Sequence, residues 1–195
     1  MAGWIYQLGD AASGAAVIGG RIICTSQIQG VITLLPWVGP QDLPGIHPED
    51  REYVAAEMSA FLLAWLSELP CPVLNRPSPS SLSGPGWRHD HWIRVASRLG
   101  IPTTLPDDSN ALGAPALSGR PVTVLDGQPF GTCQPAEGEA AAAIARSVDV
   151  RLVTLSFVGT KQVPVFEGAW PAPRLDDSEM AHLLKEKLLK EGRRS

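Results

Sequence analysis

The run from Glu57 to Pro102, EMSAFLLAWLSELPCPVLNRPSPSSLSGPGWRHDHWIRVASRLGIP, constrains this chain more than any other stretch. Val54, Met58, Phe61, Leu62, Trp65, Leu66 and Leu69 recur at i, i+4, i+7, i+8, i+11, i+12 and i+15, which predicts a helix with one broad apolar face. Pro48 suits its first turn, and Glu49, Asp50 and Glu52 set negative charge against its positive end. Pro70 and Pro72 stop it, because proline has no N–H to continue the ladder. Val73-Leu74 then reads as a short buried strand. It places Asn75 at a strand's carboxyl end, where ligands gather in open α/β sheets. Beyond a Pro/Gly/Ser loop over 78–86, Trp92, Val95, Ala96 and Leu99 form the face of a second helix. Gly100 is its expected C-terminal glycine and Pro102 blocks continuation. The order helix, strand, loop, helix predicts an α/β fold.

The flanks add strands. Trp4 to Leu8 is a strand candidate, and Ala15–Ile18 and Arg21–Thr25 pair as a hairpin across Gly19-Gly20. Val31 to Leu35 is a continuous apolar run, the pattern of a strand buried on both faces. The early glycines do not form GxGxxG before a helix, which excludes a dinucleotide fingerprint. Downstream, Val122 to Phe130 predicts a hairpin turned by Asp126-Gly127 in type I′ geometry. Glu137 to Ser147 is helical, Val150 to Val158 is a strand, and Val163 to Phe166 returns as its partner, with a loop over 170–173. Asp176 or Asp177 caps a last helix to about Glu191, with Met180, Leu183, Leu184 and Leu188 as its face. The break near 103–121 is the expected boundary, giving a domain over 1–105, a linker over 106–121 and a C-terminal part over 122–195.

Net charge −4 and a pI near 5.5 argue against nucleic acid as a partner, which calls for a basic face. Cys24, Cys71 and Cys133 are far apart and odd in number, so neither a zinc site nor a disulfide framework is expected. Reduced thiols, no basic region ahead of an apolar core at the N-terminus, and no apolar run of roughly 18 residues predict a cytoplasmic protein with no membrane partner.

Residues 28–105 resemble the N-terminal, pre-ATP-grasp domain of ATP-grasp ligases, in the style of those acting on peptides: ribosomal-protein glutamate ligases and ligases that modify ribosomal natural products. The resemblance rests on IQGVITLLPWV, on Glu57 opening EMSAFLLAWLSELP, on CPVLNRPSPSSL, and on a helix ending RLGIPTTL. VTVLDGQPFG and VDVRLVTLSFVGTKQVPVFEGAWPAP resemble the late hairpin and the magnesium-bearing strands of an ATP-grasp domain. The resemblance implies a Rossmann-like pre-ATP-grasp domain followed by a small mixed, antiparallel α+β part of an ATP-grasp domain. In the family pattern the first strand brings an acid and the second ends in Glu-x-Asn; here Ser156 and Ala169 stand in two of those places and Glu167 alone remains. The family's phosphate-binding Lys after the NxP loop is missing, Arg88 follows instead, and the first lysine of the chain is Lys161. Only the short 103–121 stretch stands where the nucleotide-clamping lobe belongs. Phosphoryl transfer depends on positioning and charge neutralisation. The expectation is therefore a non-catalytic accessory or binding protein in a peptide, natural-product or cofactor-biosynthesis setting, with ATP and Mg²⁺ binding lost and no metal site. Its partner would be a second copy or a protein or peptide. The alternative is a minimal ligase, or another enzyme reusing the same site.

The binding candidates are Asn75, Arg76, Trp87, Arg88, His91 and Glu167; no catalytic residue is assigned. Asn75 and Arg76 either meet a ligand at the strand end or satisfy loop backbone and a nearby acid. His89 and His91, two apart, point to different sides of a helix, unlike an i, i+4 zinc pair. A solvated helix start able to attract an anion fits Arg88, His89, Asp90 and His91 better. Trp87, Trp92 and Trp170 belong either to the core or to an interface.

Overall fold

A computed structural model describes residues 14–18, 20–104, 118–131, 133–160, 162–171 and 178–192. The strand expected over Trp4–Leu8, the helix cap expected at Asp176 or Asp177 and most of the 106–121 linker lie outside the described residues. The protein is mixed α/β, with four α-helices among the described residues. None of them is long and apolar enough to cross a membrane. The chain divides into two compact units, one of Met1–Ser83 with Leu175–Ser195, the other of Gly84–Arg174. This is not the division at 103–121 read from loop composition. The helix at His89–Arg98 goes with the second unit because its buried Trp92, Ile93 and Ala96 belong to that unit's core.

In the first unit, β1 (Ala15–Ile18) and β2 (Arg21–Cys24) form the expected antiparallel hairpin, with Ala15 opposite Cys24. Gly20, at φ 79°, supplies the left-handed residue of the turn. β3 (Val31–Ile32) pairs in parallel with β4 (Val73–Leu74), and α1 (Arg51–Glu68) connects them in a β-α-β order. A 3₁₀ turn over Pro48–Asp50 precedes α1. Trp65, Leu66, Leu69, Cys71, Val73 and Leu82 make a core to which Ile28, Val31, Leu62 and Leu63 add. Met58, expected on the inner face of α1, is exposed. The expected strand Val31–Leu35 stops at Ile32, and Leu34 and Leu35 lie in solvent. Its partner β4 is only two residues long, because Asn75 turns left-handed at φ 54° and leaves no ladder for 33–35 to join. α4 (Ser178–Gly192) buries Met180, Leu184 and Leu188, as its spacing predicts. It lies close against 29–30: a Cβ on Gly30 would fall 2.8 Å from the Leu188 Cβ, and one on Gly192 would fall 2.4 Å from the Gln29 carbonyl oxygen.

The second unit is an antiparallel sheet in the order β6-β5-β7-β8. Its strands are β5 (Arg120–Leu125), β6 (Gln128–Phe130), β7 (Leu152–Gly159) and β8 (Pro164–Trp170). Asp126 at φ 48° and Gly127 at φ 74° are both left-handed, the requirement of the type I′ turn that joins β5 to β6. β8 runs further than expected and takes Trp170 out of the predicted loop. α2 (His89–Arg98) and α3 (Pro135–Ser147) supply the helical side of the core. Trp92, Ala96, Ala141, Ile144 and Ala145 pack there with Val122, Val124, Val153, Leu155, Phe157 and Phe166. Leu99, expected on the inner face of α2, is exposed because the helix ends one residue earlier, and Ile93 is buried instead. Period-two alternation turns Thr123, Thr154 and Ser156 to the other face. There the Thr123 and Thr154 hydroxyls lie 2.9 Å apart.

Candidate functional site

The register of β7 and β8 creates the most organised polar site. Thr154 faces Trp170, Leu155 faces Ala169 and Ser156 faces Gly168, but Phe157 faces Phe166. Glu167 is the one extra residue, a β-bulge. A regular ladder would set Glu167 opposite Phe157, on the core face. The bulge puts Phe166 there, where both fully buried rings meet edge-on with centroids 5.8 Å apart. It frees the Glu167 carboxylate to reach the polar face.

Four donor groups meet that carboxylate. Ser156 Oγ donates to Oε2 at 2.7 Å. Ser118 Oγ donates to Oε1 at 2.7 Å, and the Ser118 N–H is shared between both oxygens at 3.1 Å. The Gly119 N–H donates to Oε2 at 2.9 Å. Only glycine fits at 119, since a Cβ there would lie 2.4 Å from the Phe157 carbonyl oxygen and 2.8 Å from Ser156 Oγ. Burial alone would push the Glu167 carboxyl up. The hydrogen bonds from the Ser156 and Ser118 hydroxyls and from the two backbone N–H groups outweigh it and hold the group below its ordinary value. Immediately beyond, Arg120 donates from Nε to Glu137 Oε1 at 2.7 Å. Glu137 is buried at the third position of α3 and also accepts from the Gln134 N–H at 3.4 Å. These contacts fix both ends of the segment that opens β5.

The other expected site residues are spread over both units. Asn75 and Arg76 belong to the first unit; Trp87, Arg88, His91 and Glu167 belong to the second. Asn75 is buried in its left-handed conformation, and Arg76 is exposed with no ion pair among the described residues. Burial raises the pKa of the Cys71 thiol, with a backbone hydrogen bond and then the Arg76 charge opposing the rise. At the start of α2, Trp87 lies against His91 with ring centroids 4.2 Å apart, and against Trp92 at 4.9 Å. Arg88 reaches Asp90 at 3.4 Å, an exposed pair of little energetic weight. Among the described residues no hydrogen bond, ion pair or ring contact joins this group to Glu167. No group of three or more His, Cys, Asp or Glu among them is placed to hold a metal ion. The sequence did not reveal Ser118 and Gly119 as partners of Glu167, because 49 and 48 residues separate them from it. Ser156 stood out only as a position where an acid was missing.

This architecture is the fold of the ATP-grasp ligases, which the chain shares at low sequence identity. Among solved structures it is similar to the macrocyclase MdnC from Microcystis aeruginosa MRC bound with precursor peptide MdnA, with a TM-score of 0.67 and 9% identity over 97% of this chain and 87% of that one. It is similar to the ATP-grasp ligase PsnB complexed with a minimal precursor, with a TM-score of 0.63 and 11% identity over 96% of this chain and 86% of that one. It is also similar to the macrocyclase MdnB from the same Microcystis strain, with a TM-score of 0.56 and 14% identity over 90% of this chain and 77% of that one. No family model matches the sequence, and no curated protein matches it.

Proposed function

We propose that this chain is a non-catalytic ATP-grasp-like protein that binds a peptide or protein partner in a peptide or natural-product maturation setting. In this reading residues 1–105 correspond along the sequence to the Rossmann-like pre-ATP-grasp domain, 106–121 replace the nucleotide lobe and 122–195 are the reduced ATP-grasp part. That correspondence cuts across the two compact units, because α2 belongs to the second and α4 to the first. The observation that carries the reading is the saturation of Glu167. Mg²⁺ takes oxygen ligands in near-octahedral geometry at about 2.0–2.1 Å. Both Glu167 oxygens already accept hydrogen bonds, from Ser118, Gly119 and Ser156. The neighbouring family positions hold Ser156 and Ala169, which bring no carboxylate and no amide. These residues do not fit a magnesium triphosphate. A peptide is favoured as partner because MdnC and PsnB, which share the fold, are described in complex with precursor peptides. Calorimetric titration with Mg-ATP tests the reading. The expected result is no saturable heat; saturable binding that Glu167→Ala abolishes overturns it in favour of a minimal ligase.

A further inference from the structure

We infer that the groove between the 27–32 segment and α4, within the first unit, docks an acidic peptide segment that carries an aliphatic anchor residue. The inference rests on the peptide-binding reading above and names the surface and the chemistry. The groove has a volume of about 410 Å³, inside the range of roughly 300–1,000 Å³ usual for ligand sites. Ile32, Leu188 and Leu189 give it apolar walls, and Gln27, Gln29 and Lys185 give it polar ones. Its shape is set by the backbone, since α4 approaches so closely that neither Gly30 nor Gly192 has room for a side chain. A site formed before its ligand arrives loses less entropy on binding.

The polar groups on the groove favour an anionic acceptor. Lys185 has no carboxylate partner among the described residues, although His182 on the same helix faces Glu186 at 3.5 Å. The side-chain carbonyl of Gln27 already accepts from the Cys24 N–H at 2.9 Å, so what Gln27 offers a ligand is its amide NH₂ donor. An ammonium and an amide donor beside leucine and isoleucine side chains complement a carboxylate next to an aliphatic residue. A basic peptide would meet Lys185 with like charge, a direct cost to the wrong partner. An Asp or Glu within a few residues of Leu, Ile or Val is the motif that satisfies both halves of the groove.

The test uses the full chain and an array of capped synthetic peptides of about twelve residues. Each carries one Leu with a Glu at varied spacing, and control copies carry Lys for Glu or Ser for Leu. The native chain is expected to retain the Leu/Glu peptides. Lys185→Glu is expected to weaken that retention about tenfold and to shift it towards the Lys copies, and Leu189→Ser to weaken it by a similar factor. Neither residue is buried, and unchanged thermal melts would show that both variants fold. Retention that neither variant alters overturns the groove while leaving peptide binding in place. No retention of any peptide overturns both. Equal retention of Glu and Lys copies overturns the assigned charge. Self-association of the chain that Lys185→Glu abolishes puts a second copy in the groove and overturns the peptide as its occupant.

Discussion

In the second unit Val124, Val153, Leu155, Phe157 and Phe166 are wholly removed from solvent and Leu99 and Val163 lie open, whereas in the first unit Ile22 is 75% exposed and Leu34, Leu35, Trp37, Tyr53 and Met58 also lie open. The difference follows from the strands. Four paired strands give the second unit a sheet wide enough for one face to be filled by side chains of α2 and α3. Among the described residues the first unit has a hairpin of two four-residue strands and a parallel pair of two-residue strands, which by themselves shelter little apolar surface. Contiguous exposed apolar patches usually mark contact with a partner, whereas single exposed apolar side chains are common on any domain. In the reading proposed above, the second unit would be the scaffold, with Glu167 tied into it, and the first unit would carry recognition.

Core and surface substitutions can break this comparison. Phe157→Ala removes a fully buried ring from the sheet core and is expected to destabilise the protein by about 3–5 kcal/mol in denaturant unfolding. A loss below about 1 kcal/mol would mean that the second unit is not the tightly packed one. Arg120→Ala leaves the Glu137 carboxylate buried with only the weak Gln134 N–H for company. It is expected to cost about 1–3 kcal/mol by the same measurement, and Arg120→Lys should recover part of that.

The pH dependence sharpens the picture at Glu167. Its pKa is lowered in the folded state from an ordinary value of 4.5. Above that value the native and unfolded states both carry the charge and the full contribution is present. As pH falls below it, the unfolded state takes up the proton first and stability drops, until the folded carboxyl is protonated too. Unfolding curves across that acid range should show the loss in the native chain and a flatter profile in Glu167→Gln. The smallest effect is expected on the open side: Trp37→Ser should change stability by no more than about 0.5 kcal/mol. A larger loss would place Trp37 in the packing of the first unit and remove it from the exposed surface.

Much of the fold was legible in the sequence wherever a local cause dictated the structure. Asp126-Gly127 demands a type I′ turn whatever surrounds it, the spacing of Met180, Leu184 and Leu188 defines a helix face, and Gly100 with φ 73° ends α2. The readings that needed correction depended on partners distant in the chain. Val31 to Leu35 is apolar enough for a longer strand, but β4 offers two residues to pair with. Loop composition likewise gave no sign that burial of Trp92 and Ile93 would carry α2 into the core of the second unit. The candidate site shows the same limit. Glu167 could be singled out from its strand, but the bulge that lifts it off the core arises from the pairing of Phe157 with Phe166, and its hydrogen bonds come from Ser156 on the neighbouring strand and from Ser118 and Gly119, distant in the chain.

The stability of Glu167→Gln at neutral pH bears most directly on whether this carboxylate holds the structure together or waits for a metal. Glutamine turns an NH₂ group towards the Ser and Gly donors, so a structural role predicts a loss of about 1–3 kcal/mol. A carboxylate shaped for a cation it lacks would instead be relieved by neutralisation, and a variant as stable as the native chain, or more so, would contradict the account.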